Sequence, residues 1–446
     1  MITSEIRTFK YTDDNIQKVQ CVRLDSFEEL NFFRPVFSEE AFERLFHLYR
    51  DFIIRKYSFI FGKIVLFHLP EDMEVPFEVT SGLYGHVYDP LSVVAMAFKK
   101  NIYVKNSVLC FRDSVTERFF YELEKRGALY IAAGKLNTLS FLPVSHGIGF
   151  ITETHQTATV KFNSSFFVMD MLDCATIFDH VGKPVGLNMK NGRVLTPPLF
   201  DREALLVDRN GKVTVRPVSL TEVGILIDGK EYRDGLNCTY YCRPQSAITP
   251  SGGYDIVISD GKIVAIKRGG NCPVPSSGFI IKTDEPVKVR NRAVQFTGLE
   301  EYAFAIQVGN SAVIDGKKTE KFISPFHNFL KPLSNAYPPS MYPLNYHKDR
   351  APRMVLGSDI NNKPVILWFE GAGKFGYQAG RDSCGASLSE VASLCETLGL
   401  YNAVNLDGGG SAQIQFNGER KLMMSDREPA TYSEQERGIA IGLYVE

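Results

Sequence analysis

The chain lacks the long apolar runs and the lopsided charge that assign many proteins to a class at once. No stretch of its 446 residues approaches the roughly 18 consecutive apolar residues that a membrane-spanning helix needs, so no membrane span is expected. Lys plus Arg number 50 and Asp plus Glu 51, a net charge of −1, with no block of one sign. Nucleic acid is therefore not expected as an electrostatic partner, although a local basic pocket stays open. The opening MITSEIRTFKYTDD has no basic segment leading into an apolar one. No secretory signal is visible there, and the expectation is a cytoplasmic protein. There is no G-x-S-x-G elbow, which argues against a serine hydrolase of that type, and no paired-carboxylate motif of the DxD kind. The eight cysteines are scattered, and the one close pair, Cys238 and Cys242, has neither a second pair nor neighbouring histidines. Free thiols are expected in place of a zinc site. His146, His155, His180 and His347 show no metal spacing either. No metal site and no cofactor are expected, with a divalent cation left open.

What is present is a globular composition, 44% hydrophobic and 23% charged, in a chain long enough for two or three domains. Residues 1–140 read as an accessory α/β region of unassigned role. Helices are expected at 37–57, where Ser38 can cap an apolar face, and at 114–126, with a buried strand at 58–69. From about residue 141 to 446 the texture changes, and this part reads as a strand-rich domain. Short β-branched and aromatic runs alternate with Asn-Gly and Asp-Gly turns at 191, 210, 228, 260 and 315, the strongest short-range signals for hairpins. One helix interrupts them at 387–398, where Ser387 and Glu390 form a capping box and Gly399 supplies a stop. The expected class is α+β: a strand-rich, mostly antiparallel sheet with that helix packed on it.

The sharpest local feature is AVNLDGGGSAQ at 403–413. An apolar strand ends at Asp407, and Gly408, Gly409 and Gly410 let the backbone approach a ligand closely. Their N–H groups, with Ser411, can converge on an anion. The same residues can equally form a glycine-rich turn with a solvated carboxylate. GAGKFG at 371–376 satisfies G-x-G-x-x-G but opens no helix at its last glycine, so a dinucleotide site is rejected. Arg353 and Arg437 each begin an apolar strand, as a solvated flank or as a bidentate clamp for phosphate. Asn163 lies in VKFNSSFFVM, where an apolar strand would not carry Asn-Ser-Ser without partners for each polar group. It is read either as a bulge or as a contact to a sugar hydroxyl or phosphate.

The order of these motifs resembles the phosphodiester glycosidase family, which includes the vertebrate mannose-6-phosphate uncovering enzyme. KFNSSFF fits the family's N-G-G-F-F-like segment, with Ser164 and Ser165 in place of its glycines. KPVGLNMKNGRV supplies Gly186 and Gly192, RMVLGSD supplies Arg353 and Gly357, and GASLSEVA matches the family's capped helix. The N-L-D-G-G-G-S hallmark is intact from Asn405 to Ser411, and Arg437 matches a late arginine before the final strand. The similarity covers roughly residues 145–446. It implies hydrolysis of a sugar-1-phosphodiester to free sugar and phosphomonoester, with a small sugar-phosphodiester or glycan as the partner. It further implies catalytic roles for Asp407, Arg353 and Asn163, and substrate binding by Asn405, Gly408, Gly409, Gly410, Ser411 and Arg437. Asp359 and Glu370 are candidates for a second carboxylate, whose distance from Asp407 would separate retention from inversion. Two rival readings stay open, a metal-dependent phosphoesterase and a non-catalytic glycan or nucleotide binder on the same fold. Oligomeric state is not legible.

Overall fold

The computed structural model describes residues 2–35, 149–167, 183–320, 348–372, 378–427 and 434–446, apart from positions 13, 200, 201, 244, 260, 276 and 435, together with position 322 and five short strands between 64 and 133. The helices expected at 37–57 and 114–126, and most of the strand expected at 58–69, lie outside the described residues.

Two antiparallel sheets frame the region of interest. The strands of the first are β1 (Thr3–Thr12), β2 (Asn15–Arg23), β5 (Ser311–Ile314), β6 (Lys317–Lys318), β7 (Arg353–Ser358), β8 (Pro364–Phe369) and β9 (Asn402–Asn405). Those of the second are β3 (Asn31–Phe33), β4 (Val160–Asn163), β10 (Ile414–Phe416), β11 (Glu419–Arg420) and β12 (Gly442–Val445). The first sheet runs β1-β2-β8-β7-β9-β5-β6 and the second β11-β10-β4-β12-β3. The first 33 residues thus lie in the same sheets as the C-terminal strands, β2 pairing with β8 and β3 with β12. Three further antiparallel sheets use strands between Asn188 and Ile306. The one parallel pair among the described strands joins Ile64–Leu66 to Ile131–Ala133.

The centre of the first sheet is covered on both faces. Every residue of β7 and β8 is buried, the burial expected of strands that read as continuous apolar runs. Met354, Leu356, Ile366, Trp368 and Val404 face the large core, together with Leu206, Phe304 and Ile306. Val355, Val365, Leu367, Phe369 and Ala403 face the other way, onto Val391, Leu394 and Cys395 of helix α1 (Leu388–Thr397). That helix starts as its sequence dictates: Ser387 accepts from the Glu390 N–H, and the Glu390 carboxylate accepts from the Ser387 N–H. It stops at Gly399, whose φ of +79° suits a residue without Cβ.

The α+β assignment is corrected. The structure is 49% strand against 8% helix, and α1 is the one α-helix among the described residues, so the fold is nearly all-β. That assignment drew on three helices, and one ten-residue helix against a seven-stranded sheet is a cover for one face, not a layer of its own. The turn chemistry was the better guide. Asn191-Gly192, Asp228-Gly229, Asp315-Gly316 and Asn417-Gly418 all take positive φ at both positions. Each joins two antiparallel strands, the type I′ geometry that matches strand twist. No helix among the described residues is long and apolar enough to cross a membrane.

Candidate active site

Residues 406–413 carry the chain from one sheet to the other. The Leu406 N–H donates to the Met354 carbonyl at 2.8 Å, extending the β9–β7 pairing by one residue. The next N–H, of Asp407, donates at 2.8 Å to the Ser164 carbonyl, just past β4 of the second sheet. The glycines then make a tight turn over Gly409–Ser411 before β10 begins. Gly409 has a φ of +59° and donates to the Pro352 carbonyl at 2.9 Å. A Cβ on Gly408 would stand 2.7 Å from that same carbonyl oxygen, and one on Gly410 would stand 1.8 Å from an Arg437 nitrogen. Backbone conformation explains the first of these glycines and close approach the other two.

Asn163, the last residue of β4, clamps this turn from outside. Its side-chain amide donates to the Asp407 carbonyl at 2.6 Å, and its side-chain oxygen accepts from the Gln413 N–H at 3.0 Å. It is 1% exposed. The partner demanded by a polar residue in an apolar strand is therefore the glycine loop itself. Asn405 is equally buried, and its amide donates to the Leu406 carbonyl at 2.9 Å, steadying the strand end. Ser164 and Ser165 are buried as well and donate to the Ile441 carbonyl and the Asn188 side chain.

Asp407 is 6% exposed. Burial raises its pKa from 3.8 to about 7, opposed by the Ser411 hydroxyl, the Arg437 guanidinium and the Gly408 N–H. The hydroxyl lies near enough to favour the carboxylate, yet Ser411 Oγ meets no hydrogen-bond geometry. Four buried side-chain atoms of this one loop have no hydrogen-bond partner: Asp407 Oδ2, Ser411 Oγ, and Gln413 Nε2 and Oε1. Native proteins leave few buried polar atoms unsatisfied, and such a cluster calls for an explanation.

The two arginines differ. Arg437 is 6% exposed and holds Asp426 in a bidentate pair, Nε to Oδ2 at 2.8 Å and a terminal nitrogen to Oδ1 at 2.9 Å. Its guanidinium lies directly against Gly410. Arg353 is 3% exposed, with Nε on the Ala386 carbonyl and a terminal nitrogen on the Asp349 carbonyl, both at 2.9 Å. Its side chain ties the start of β7 to the segment before α1, while its backbone runs beside Gly408.

Both candidate second carboxylates accept hydrogen bonds from neighbouring segments. Glu370, 3% exposed, follows β8 at the same end of the hairpin as Arg353. One of its oxygens accepts from the Met423 N–H at 2.8 Å and the other from the Ser383 hydroxyl. Asp359 caps the opposite end, where it accepts from the N–H groups of Asn361 and Lys363 at 2.9 Å each. The length of β7, about 17 Å at roughly 3.3 Å per residue, separates it from Gly408. No group of three or more metal-ligating side chains occurs among the described residues. Gly371 of the G-x-G-x-x-G match sits against the Pro352 ring, where a Cβ would meet it at 2.4 Å; residues 373–376 of the match lie outside the described residues, among which the next α-helix begins at Leu388.

Sequence reading missed Asp426, Gln413 and Pro352. Asp426 stands in SDREPA with no periodicity around it, and its partner lies 11 residues on. Pro352 packs against both Gly371 and Gly408, and the P-R dipeptide at 352–353 gave no sign of that.

A nearly all-β fold with a carboxylate-bearing glycine turn between two sheets defines the class of site. Compared with known families, residues 243–446 match the model of the phosphodiester glycosidase family. The resemblance read from the motifs is thus shown over that span, and it points to a hydrolase of that kind. No curated protein matches. Among solved structures, the chain is similar to a hypothetical protein from Synechocystis (14% identity, TM-score 0.42), covering all of this chain and 62% of that one. It is also similar to the zebrafish N-acetylglucosamine-1-phosphodiester alpha-N-acetylglucosaminidase catalytic domain auto-inhibited by its pro-peptide (12% identity, TM-score 0.39), covering all of this chain and 83% of that one.

Proposed function

We propose that the protein hydrolyses a sugar-1-phosphodiester at the Asp407–Ser411 turn, releasing free sugar and a phosphomonoester. The observation that carries this reading is the cluster of four unsatisfied polar atoms at Asp407, Ser411 and Gln413. A hydroxyl-rich ligand has both donors and acceptors to offer such a cluster, and because these atoms are closed to solvent the turn or its cover must move to admit it.

The chemistry suits the residues. The bond from the anomeric carbon to the phosphate oxygen breaks, and water supplies the hydroxyl that ends on the sugar carbon. The departing phosphate has a second pKa of about 6, so it needs little protonation. It needs positive charge and oriented donors, and the closeness of the Arg437 guanidinium to Gly410 supports that role for it. Asp407, raised to about 7 by burial, can take up a proton near neutrality as a general base, or act ionised as nucleophile or oxocarbenium stabiliser.

The test is sugar release from a panel of sugar-1-phosphodiesters, nucleotide sugars included, by wild type and Asp407→Asn, each with and without chelator. Release by wild type alone, unaffected by chelator, is the expected result. Loss with chelator would support the metal-dependent phosphoesterase, and binding without turnover would support the glycan or nucleotide binder. Each of the three ionised-carboxylate roles predicts activity that rises as pH passes through about 7. Stability carries the opposite sign. The folded-state pKa lies above the unfolded value of 3.8, so this group's stabilising contribution is complete below about pH 4 and is lost as pH rises to about 7. Asp407→Asn should therefore flatten the fall in Tm between those limits.

A further inference from the structure

We propose that Asp426 is a positioning residue, fixing the Arg437 guanidinium against Gly410 and setting how strongly that cation acts on Asp407. This deepens the proposed function and rests on that reading for its kinetic part only.

The geometry is over-determined at each joint. Asp426 uses both carboxylate oxygens on Arg437, and both residues are at least nine-tenths buried. A fork-to-fork pair of this kind fixes the plane of the guanidinium as well as its position. Gly410 carries no Cβ at the point where one would collide with three atoms of that guanidinium. The segment bearing Asp426 is itself pinned: Met423 donates to Glu370, Met424 donates to Glu434, and the Arg427 side chain donates to the Met424 and Gly371 carbonyls. Arg427 also faces Asp382 at 3.5 Å. Glu370, one of the two residues put forward as a second carboxylate, thereby acts as the outer support of the Asp426 segment.

The electrostatic consequence follows from the order of charges. Among the described residues the charged neighbour of the Asp407 carboxylate is Arg437, from the segment before β12; the Ser411 hydroxyl and the Gly408 N–H are neutral, as is the Asn163 amide on the Asp407 backbone carbonyl. Asp426 is paired with Arg437 and offsets its charge, so the cation acts on Asp407 with reduced strength. A buried partner of this sort supports a functional group much as an outer residue orients a metal ligand, where loss commonly costs about 10–100-fold.

The experiment compares wild type, Asp426→Asn and Asp426→Glu by three readouts: kcat and KM on the best phosphodiester of the panel, Tm, and a carbon-13 NMR titration of the Asp407 carboxyl. Asp426→Asn keeps the shape and one acceptor but removes the charge. The expected result is a fall in kcat of about 10–100-fold, with the Asp407 titration moved to lower pH as Arg437 acts unopposed, and partial recovery in Asp426→Glu. An unchanged Asp407 titration in a folded Asp426→Asn protein overturns the proposal. So does a drop in Tm of Asp426→Asn with kcat and titration both unmoved, since that is a purely structural pair. If wild type releases no sugar from any substrate, the function reading fails while the titration still decides the role of Asp426.

Discussion

Two arginines end up beside the same glycine turn, Arg353 at the start of β7 and Arg437 in the segment before β12, and the regions around them do different work. At Arg353 the guanidinium meets the carbonyls of Ala386 and Asp349, which are neutral acceptors belonging to the scaffold. At Arg437 it meets a carboxylate and the bare backbone of Gly410. Equal burial therefore says little about role. The partner differs: Arg353 donates to backbone carbonyls of the scaffold, whereas Arg437 is paired with a carboxylate and lies against Gly410 of the turn. The comparison also explains why the two positions looked alike in the sequence, each a lone arginine ahead of an apolar run.

The comparison breaks most sharply at Arg437. Arg437→Ala leaves Asp426 buried without its cation, and breaking a buried pair from one side costs about 3–5 kcal/mol. Losing a preorganised charge at a reacting centre costs about 100–1,000-fold in kcat. Activity per folded molecule and urea unfolding together should show both losses. A variant that lost stability alone would place Arg437 with Arg353 as scaffold. Gly410→Ala ranks next. Its new Cβ would lie within 2.5 Å of three guanidinium atoms, so either the arginine or the turn must shift. About 1–3 kcal/mol of strain is expected, with a fall in kcat smaller than that of Arg437→Ala and an intact fold by circular dichroism.

Arg353→Met comes third and sharpens the contrast from the other side. It keeps the length of the side chain but removes the donors to the half-buried Asp349 carbonyl and to the Ala386 carbonyl, which still accepts from the Ala351 N–H, at about 1 kcal/mol for each lost bond. Activity per folded molecule should fall by less than in Arg437→Ala, because the lost bonds hold Ala386 and Asp349. A loss of kcat matching that of Arg437→Ala, at unchanged stability, would return Arg353 to the reacting centre.

How far the sequence reached follows the range of the interactions. The hairpin turns were legible because Asn-Gly and Asp-Gly act within two residues, as at Asn191-Gly192 and Asp315-Gly316. The cap of α1 was legible for the same reason, Ser387 and Glu390 being three residues apart. The glycine turn was legible as a turn, and the demand of Asn163 for a partner was legible as a demand. That partner is 244 residues away, and only pairing of β4 with β10 and β12 brings the two together. Asp426 was invisible because nothing local distinguishes an aspartate that will meet an arginine across a fold from one that will meet water. Glu370 was found as a carboxylate near the right strand, but its direction, toward Met423 and Ser383, is set by tertiary packing.

Asp359 gives the smallest effect and the cleanest control. It shares a hairpin with Arg353 and Glu370, yet it sits at the other end, half-buried, closing the turn between β7 and β8. Its carboxylate accepts from two turn N–H groups, a local bond pattern whose removal costs about 1 kcal/mol. The neighbouring Asn362 holds a φ of +61° and accepts from the Val213 N–H, so the turn keeps a second anchor when Asp359 is lost. Asp359→Ala should therefore lower Tm by a few degrees and leave kcat and KM at wild-type values. A tenfold loss of kcat in that variant would mean that chemistry reaches the far end of the hairpin, and the division between a working end and a structural end of β7 would be wrong.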